Sequence, residues 1–404
     1  MKKIAGLVVL LVSNWVAAGG AWGGDEPGQK FNVSPKNLAS PLATPAAANS
    51  SQNVPRPDGA VPKAPPGFAV SVFASGLFQP RWMEVAPNGD VFLSQPDEGK
   101  VSLLHDQGQG KVLITTYARG FDGVHGLALH GGFLYVADRK AVWRLPYREG
   151  MTKASAPERV TKAPTLGRPG GHYTRNIVFD SRGGLYVTIG SRDNLGEDPP
   201  PEASVQRVMP DGTLQPYATG LRNPVGIAFY PGTDDLFVTV NERDGLGDGL
   251  VPDYFTRLEP GAFYGWPYAY IGNHPDPEYG KKRPDLVAKA KVPDLLFVSH
   301  SAPLGLVFYE GAQFPPDYKG DAFVALHGSW NSSKPTGYKV VRVHFQNGKP
   351  VGGYENFLTG FWDGKSNPAR VWGRPVGLAV AKDGSLLVAD DTAKVIWRVS
   401  YKGK

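Results

Sequence analysis

One hairpin is written six times into this chain. The copies are "RWMEVAPNGDVFLSQ", "VHGLALHGGFLYVAD", "RNIVFDSRGGLYVTIG", "NPVGIAFYPGTDDLFVTV", "PLGLVFYEG…GDAFVALHG" and "RPVGLAVAKDGSLLVADD". Each is an apolar strand, a turn with Gly or Asp, and a second apolar strand. Met83, Leu127, Ile177, Ile227, Leu306 and Leu378 are equivalent positions, spaced by about 44, 50, 50, 79 and 72 residues. Most copies are followed by another β-like run, such as "AVWRLPY" or "KVIWRVSY". A lone four-stranded sheet cannot bury both faces, so such units stack around an axis and share a core. The pattern predicts an all-β, six-bladed β-propeller of four-stranded antiparallel blades over residues 66–404. A pair of β-sandwiches would not explain six copies of one hairpin. "GFAVSVFAS", residues 67–75, is placed to complete the last blade and close the ring.

Composition agrees with many short strands joined by tight turns. The 404 residues include 51 Gly and 37 Pro, with nine Trp, 17 Tyr and 19 Phe. Cysteine is absent, which excludes disulfides, thiolate metal sites and cysteine nucleophiles. The net charge of +6 is mild, with no polybasic tract, so nucleic acid is not an expected partner. "MKKIAGLVVLLVSNWVAAGG" has the layout of a secretory signal peptide over residues 1–18, too short and interrupted for a membrane span. This predicts a periplasmic or secreted protein. Residues 19–65, rich in Pro, Ala, Ser and Asn, read as a flexible, disordered linker.

In a propeller, the segment entering each innermost strand lies at the mouth of the central channel. Blade by blade, those positions are His125, then His172 with Arg175 and Asn176, then Arg222 and Asn223, then His300, then Arg374. Basic and imidazole groups at one point of five repeats would converge on one site. A second cluster, "NERDGLGDGLVPDYF", places Asn241, Glu242, Asp244, Asp248 and Asp253 in a Gly-rich insertion, oxygen donors of the kind Ca²⁺ accepts. A third, "HGSWNSSKPTGYKVVRV", crowds Trp330, Lys334 and Lys339 near a turn. Nucleotide-binding glycine motifs, the G-x-S-x-G elbow and H-E-x-x-H are missing.

"GLRNPVGIAF", "YGWPY", "HGSWN", "PTGYKVVRV" and "RPVGLAV…DGSLLVADD" resemble the glucose/sorbosone dehydrogenase family, across about residues 66–404. The resemblance implies an oxidoreductase using pyrroloquinoline quinone (PQQ) with Ca²⁺ on the cofactor. It implies a sugar or aldose substrate and a quinone or cytochrome as electron acceptor. His172 matches the family's general base, and Arg222 its partner at the quinone oxygens. His125, Arg222, Asn223, Lys334 and Arg374 are the expected cofactor contacts. His300 and Trp330 are the expected substrate contacts, and residues 241–253 the expected metal loop. Ser191 stands where the family carries an acid, and Ser332 where the sorbosone branch carries an arginine. Two other readings compete: a non-catalytic propeller that binds carbohydrate or protein, and a Ca²⁺-dependent propeller lactonase.

Overall fold

The computed structural model describes residues 25–162, 166–167 and 170–403. The expected signal peptide, residues 1–18, lies outside them. Six antiparallel sheets are arranged around an axis. From inner to outer strand, blade I is Met83–Val85, Val91–Gln95, Lys100–Asp106 and Val112–Arg119. Blade II is Leu127–His130, Phe133–Ala137, Val142–Pro146 and Glu158–Arg159. Blade III is Ile177–Phe179, Leu185–Ile189, Ser204–Val208 and Leu214–Thr219. Blade IV is Asn223–Phe229, Leu236–Asn241, Tyr254–Arg257 and Leu295–Leu296. Blade V is Pro303–Phe308, Ala322–Leu326, Lys339–Gln346 and Lys349–Leu358. Blade VI takes Pro375–Val380, Leu386–Asp390 and Val395–Tyr401 from the C-terminus. Its outer strand is Phe68–Ala74, paired antiparallel with Val395–Tyr401, so the expected ring closure is found.

Strand alternation decides what each blade buries. In "VFL" of blade I, Phe92 packs toward blade II while Val91 and Leu93 pack toward blade VI. The same alternation fills every interface between neighbouring blades with its own apolar cluster. Innermost strands leave a central cavity of about 430 Å³, lined by Leu127, Ile177, Ile227, Leu306 and Leu378 among others. Its charged lining is Glu84 and Glu310, so it is no place for an anion. Val225, Leu304 and Val376, two residues earlier on blades IV, V and VI, cluster together at the mouth end of these strands.

Residues 25–64 differ from the linker reading. They form a strap that crosses the blades. Lys30–Phe31 adds a fifth strand to blade V, and Phe31 stacks on Tyr354 at 5.1 Å. Val33 bridges to Leu296, Gln52–Asn53 pairs with Arg370–Val371, and Lys63 bridges to Thr359. Arg56 lies over the Trp397 ring. The strap's apolar residues are spread over three interfaces: Phe31 enters one, Val33, Leu38 and Ala39 a second, and Val54, Ala60 and Ala64 a third. Its pattern therefore has no period, and periodicity was the signal that sequence reading used.

One charge network stands on the outer part of blade V. His344 sits 3.2 Å from Asp321 and 3.3 Å from Glu355, and hydrogen bonds to these two carboxylates push its pKa up to about 9. A raised pKa means the folded state holds the proton more tightly. The stabilisation is full below about 6.5 and lost as pH rises through about 9. The stability advantage of the native protein over His344→Gln therefore shrinks between those values. Urea unfolding at pH 6, 7.5 and 9 measures it; a constant difference would remove His344 from the account.

Candidate active site

The residues that precede the innermost strands do converge at one end of the ring. His172 lies on the Gly-rich approach to blade III, six residues before Val178, and is partly exposed. Its Nδ1 is 2.9 Å from both the carbonyl oxygen and the hydroxyl of Ser191. The Ser191 hydroxyl donates to the Asp193 carbonyl at 2.7 Å. The one fixed acceptor for Nδ1 is therefore a carbonyl, which places the proton on Nδ1 and leaves Nε2 as the basic nitrogen. Burial, then the charge of Arg222, push the His172 pKa down to about 3, so the ring is neutral at physiological pH.

Blades III and IV approach closely here, and Gly190 permits it. A Cβ at that position would lie 2.6 Å from the His172 Cβ and 2.8 Å from Asn223 Oδ1. The Ser191 amide donates to the Arg222 carbonyl at 2.7 Å, tying the two blades together. Arg175 is a holder: its guanidinium donates to the carbonyls of Leu166, His172 and Thr174, fixing the His172 loop.

Two of the expected cations stand in the site, Arg222 buried and Arg374 half-buried. Arg222 donates to the Asn194 carbonyl and side chain, the Asn241 carbonyl, and Asp244 at 3.2 Å. Arg374 donates to the carbonyls of His327 and Gly328, both at 2.9 Å. Burial lowers the pKa of both, against the opposing charges of Asp244 at Arg222 and Asp391 at Arg374. A third cation, Arg81, was missed by sequence reading. It pairs with Asp391 at 2.5 Å, and Asp391 also accepts from His327 Nε2 at 3.0 Å. The signal was available: Arg81 stands two residues before Met83, as Arg175 stands two before Ile177. Arg81 Nε, Asn223 Oδ1 and His125 Nε2 are among the buried side-chain atoms with no hydrogen-bond partner in the described residues. His125 is fully buried, its Nδ1 2.8 Å from Asn176 Oδ1, with its pKa pushed down to about 3 by burial and Arg81. It lies beneath the mouth beside Trp82.

Several expected residues take other places. Lys334 is exposed on its loop, so it is not one of the buried cations. Lys339 is buried against the strap, paired with Asp25 at 2.8 Å. His300 has both ring nitrogens engaged, with the Gly247 carbonyl and with Asn331, and it backs Asn331 instead of facing a substrate. Trp330, by contrast, is 51% exposed.

The five expected metal ligands do not gather, and no group of three acidic or imidazole side chains placed for a metal occurs among the described residues. Asn241 donates to the Pro303 carbonyl. Asp253 accepts the amides of Glu242 and Ala302. Glu242 is buried with its pKa pushed up to about 7 by that burial. Asp248 accepts the Ser333 amide on the outer side of the loop. Asp244 is the side chain of the five that pairs directly with Arg222. Backbone donors and neighbouring loops claim carboxylates that a linear sequence shows only as a cluster.

The comparisons with known proteins agree with this architecture. A PQQ-dependent pyranose dehydrogenase of Coprinopsis cinerea is 25% identical over 396 residues, covering 81% of this chain and 53% of that protein. The chain spans about two-fifths to three-fifths of the length of the curated relatives it matches. The holo form of the PQQ domain of the Coprinopsis cinerea enzyme superposes with a TM-score of 0.70 at 19% identity, over 88% of this chain and 100% of that domain. The calcium structure of a Trichoderma reesei family AA12 protein gives 0.68 at 21% identity, over 84% and 97%. The TrAA12-like family model matches residues 62–251 and 280–402. With most of its length inside that match and six blades closed as the repeats require, the chain belongs to the TrAA12-like family of glucose/sorbosone-dehydrogenase-like β-propellers.

Proposed function

We propose that this chain is a PQQ-dependent dehydrogenase of a sugar or related aldehyde. The observation that carries it is the set of three guanidiniums, Arg81 and Arg222 buried and Arg374 half-buried, that precede the innermost strands of blades I, IV and VI at the same end of the ring as the neutral His172. PQQ carries three carboxylates, and several fixed cations are what such a ligand needs. The unpartnered Arg81 Nε and the pKa-lowered Arg222 and Arg374 fit an anion of that kind. When bound, PQQ supplies the two-electron acceptor that protein side chains lack.

The chain's own part is to bind, orient and take a proton. Arg222, Arg374 and Arg81 would hold the anionic cofactor, with Asn223 beside Arg222 offering a free amide oxygen. His172 Nε2 is the base for the substrate hydroxyl proton, because Nδ1 is committed to Ser191. The partly exposed Trp330 indole offers an apolar face to a sugar ring at the rim. Reducing equivalents would leave to an external quinone or cytochrome. Calcium, which takes six to eight oxygens, would depend on cofactor oxygens for most of its shell, with Asp244 the carboxylate at hand.

Adding PQQ and Ca²⁺ to the purified protein and following dye reduction with aldoses and sorbosone tests this. Saturable PQQ binding, lost in Arg374→Ala, and sugar-dependent reduction are expected. Calcium alone is expected to bind weakly to the cofactor-free protein. Lactone hydrolysis without PQQ, or no PQQ binding at all, would overturn the reading.

A further inference from the structure

Two site loops meet at the rim. Asn331 donates to Asp244 and stands 3.0 Å from His300 Nδ1. The Ser333 amide donates to Asp248 at 2.7 Å. The first loop, residues 244–249, contains Gly245 and Gly247 at φ 94° and 93°, a backbone with little stiffness of its own. The second, residues 328–338, is an excursion of blade V between Ala322–Leu326 and Lys339–Gln346 that carries the exposed Trp330.

The strap grips both loops. Leu42 donates its amide to the Leu246 carbonyl at 2.9 Å, and Thr44 Oγ1 accepts the Asp248 amide at 2.8 Å. The Thr44 carbonyl sits where a Cβ on Gly247 would be, 2.4 Å away. Asn49 donates its amide to the Trp330 carbonyl at 2.6 Å. Its side chain donates to the Ser332 carbonyl at 2.9 Å and to Asn367 at 2.7 Å. The family match begins at residue 62, so residues 25–61 lie outside it.

We propose that Thr44 and Asn49 are positioning residues of the site: the strap fixes the Asp244 loop and the Trp330–Asn331 loop against each other and thereby sets how tightly the sugar is held. This rests on the dehydrogenase reading. Thr44 and Asn49 are the strap side chains that hydrogen-bond to these two loops, whereas Asp25 goes to Lys339 and Asn356 of blade V. The strap's other anchors, at Phe31, Gln52–Asn53 and Lys63, serve the blades.

The test uses the full chain with Thr44→Val, Asn49→Ala, Asn331→Ala and the Asn49→Ala/Asn331→Ala pair. Lys63→Ala, at the far end of the strap, is the control. The first readout needs no cofactor: amide exchange at Ser333, whose acceptor is Asp248, should speed up roughly tenfold in Thr44→Val and Asn49→Ala. The second uses PQQ, Ca²⁺ and D-glucose. KM should rise roughly fivefold with kcat within about twofold, the size expected for one lost hydrogen bond that acts on binding. The double variant should raise KM by less than the product of the singles. Unchanged KM in both strap variants overturns the proposal, whatever happens to the melting temperature. A native protein that neither binds PQQ nor reduces the dye defeats the dehydrogenase reading instead; unchanged Ser333 exchange then overturns the clamp itself.

Discussion

His172→Ala binds PQQ with near-native affinity and turns over about 10²–10⁴ times more slowly, the range for loss of a positioned general base. The split follows from geometry. The guanidiniums that would hold the cofactor come from blades I, IV and VI, whereas His172 stands on the approach to blade III. Removing the imidazole leaves Arg222 in its four-oxygen seat of Asn194, Asn241 and Asp244. The pH profile is the sharper readout. With its pKa held at about 3 by burial and Arg222, His172 stays neutral well below its ordinary 6.5. Native turnover should therefore show no His172-dependent fall between pH 6.5 and 5. Ser191→Asp sets an anion beside Nδ1, which raises the pKa and brings a falling acid limb into that window. Turnover unchanged in His172→Ala, or a profile unmoved by Ser191→Asp, would remove His172 as the base.

The blades were legible because each strand repeats its own burial code. Phe92 and Leu93 face opposite neighbours, and any sequence with that alternation six times over must do the same. His172, Arg222, Asn223 and Arg374 were legible for a related reason: a position fixed within the repeat is a position fixed around the ring. The metal loop was not. Asp253 and Asp248 look like ligands in line, but one closes a turn onto Ala302 and the other holds Ser333 from a different blade. Those partners are distant in sequence. The strap failed as a pattern for the same reason. Phe31, Val33 and Val54 each enter a different interface, so no spacing among them carries information.

Gly377→Ala should be among the most damaging single-methyl additions to this chain. A Cβ there would stand 2.0 Å from the Arg81 carbonyl oxygen, 3.1 Å from its carbon and 3.2 Å from Trp82 Cα. All three are backbone atoms of the neighbouring blade, so no side chain can swing away. The same contact recurs around the ring. Gly126 faces the Arg175 carbonyl at 2.6 Å, Gly226 the Leu304 carbonyl at 2.4 Å, and Gly305 the Val376 carbonyl at 2.1 Å. Each glycine stands one residue before an aligned apolar position, which is why "HGL", "VGI", "LGL" and "VGL" recur in the hairpins. Where the repeat lacks glycine, Asn176 spans the gap by donating to the Val225 carbonyl at 2.6 Å, and Trp82 lies against His125. These glycines set the approach of neighbouring innermost strands, and therefore the radius at which the ring closes. Gly377 has a second burden, because the backbone it would displace carries Arg81 and its Asp391 ion pair. We expect a loss of about 3 kcal/mol, the upper part of the range for overpacking. The midpoint of thermal unfolding should fall by roughly 4 °C. PQQ affinity should fall with it, as Arg81 moves. Gly305→Ala, equally tight, presses on the Val376 carbonyl two residues beyond Arg374, and should lose comparable stability. If Gly377→Ala melts with the native protein and binds PQQ as tightly, the ring does not close on these glycines.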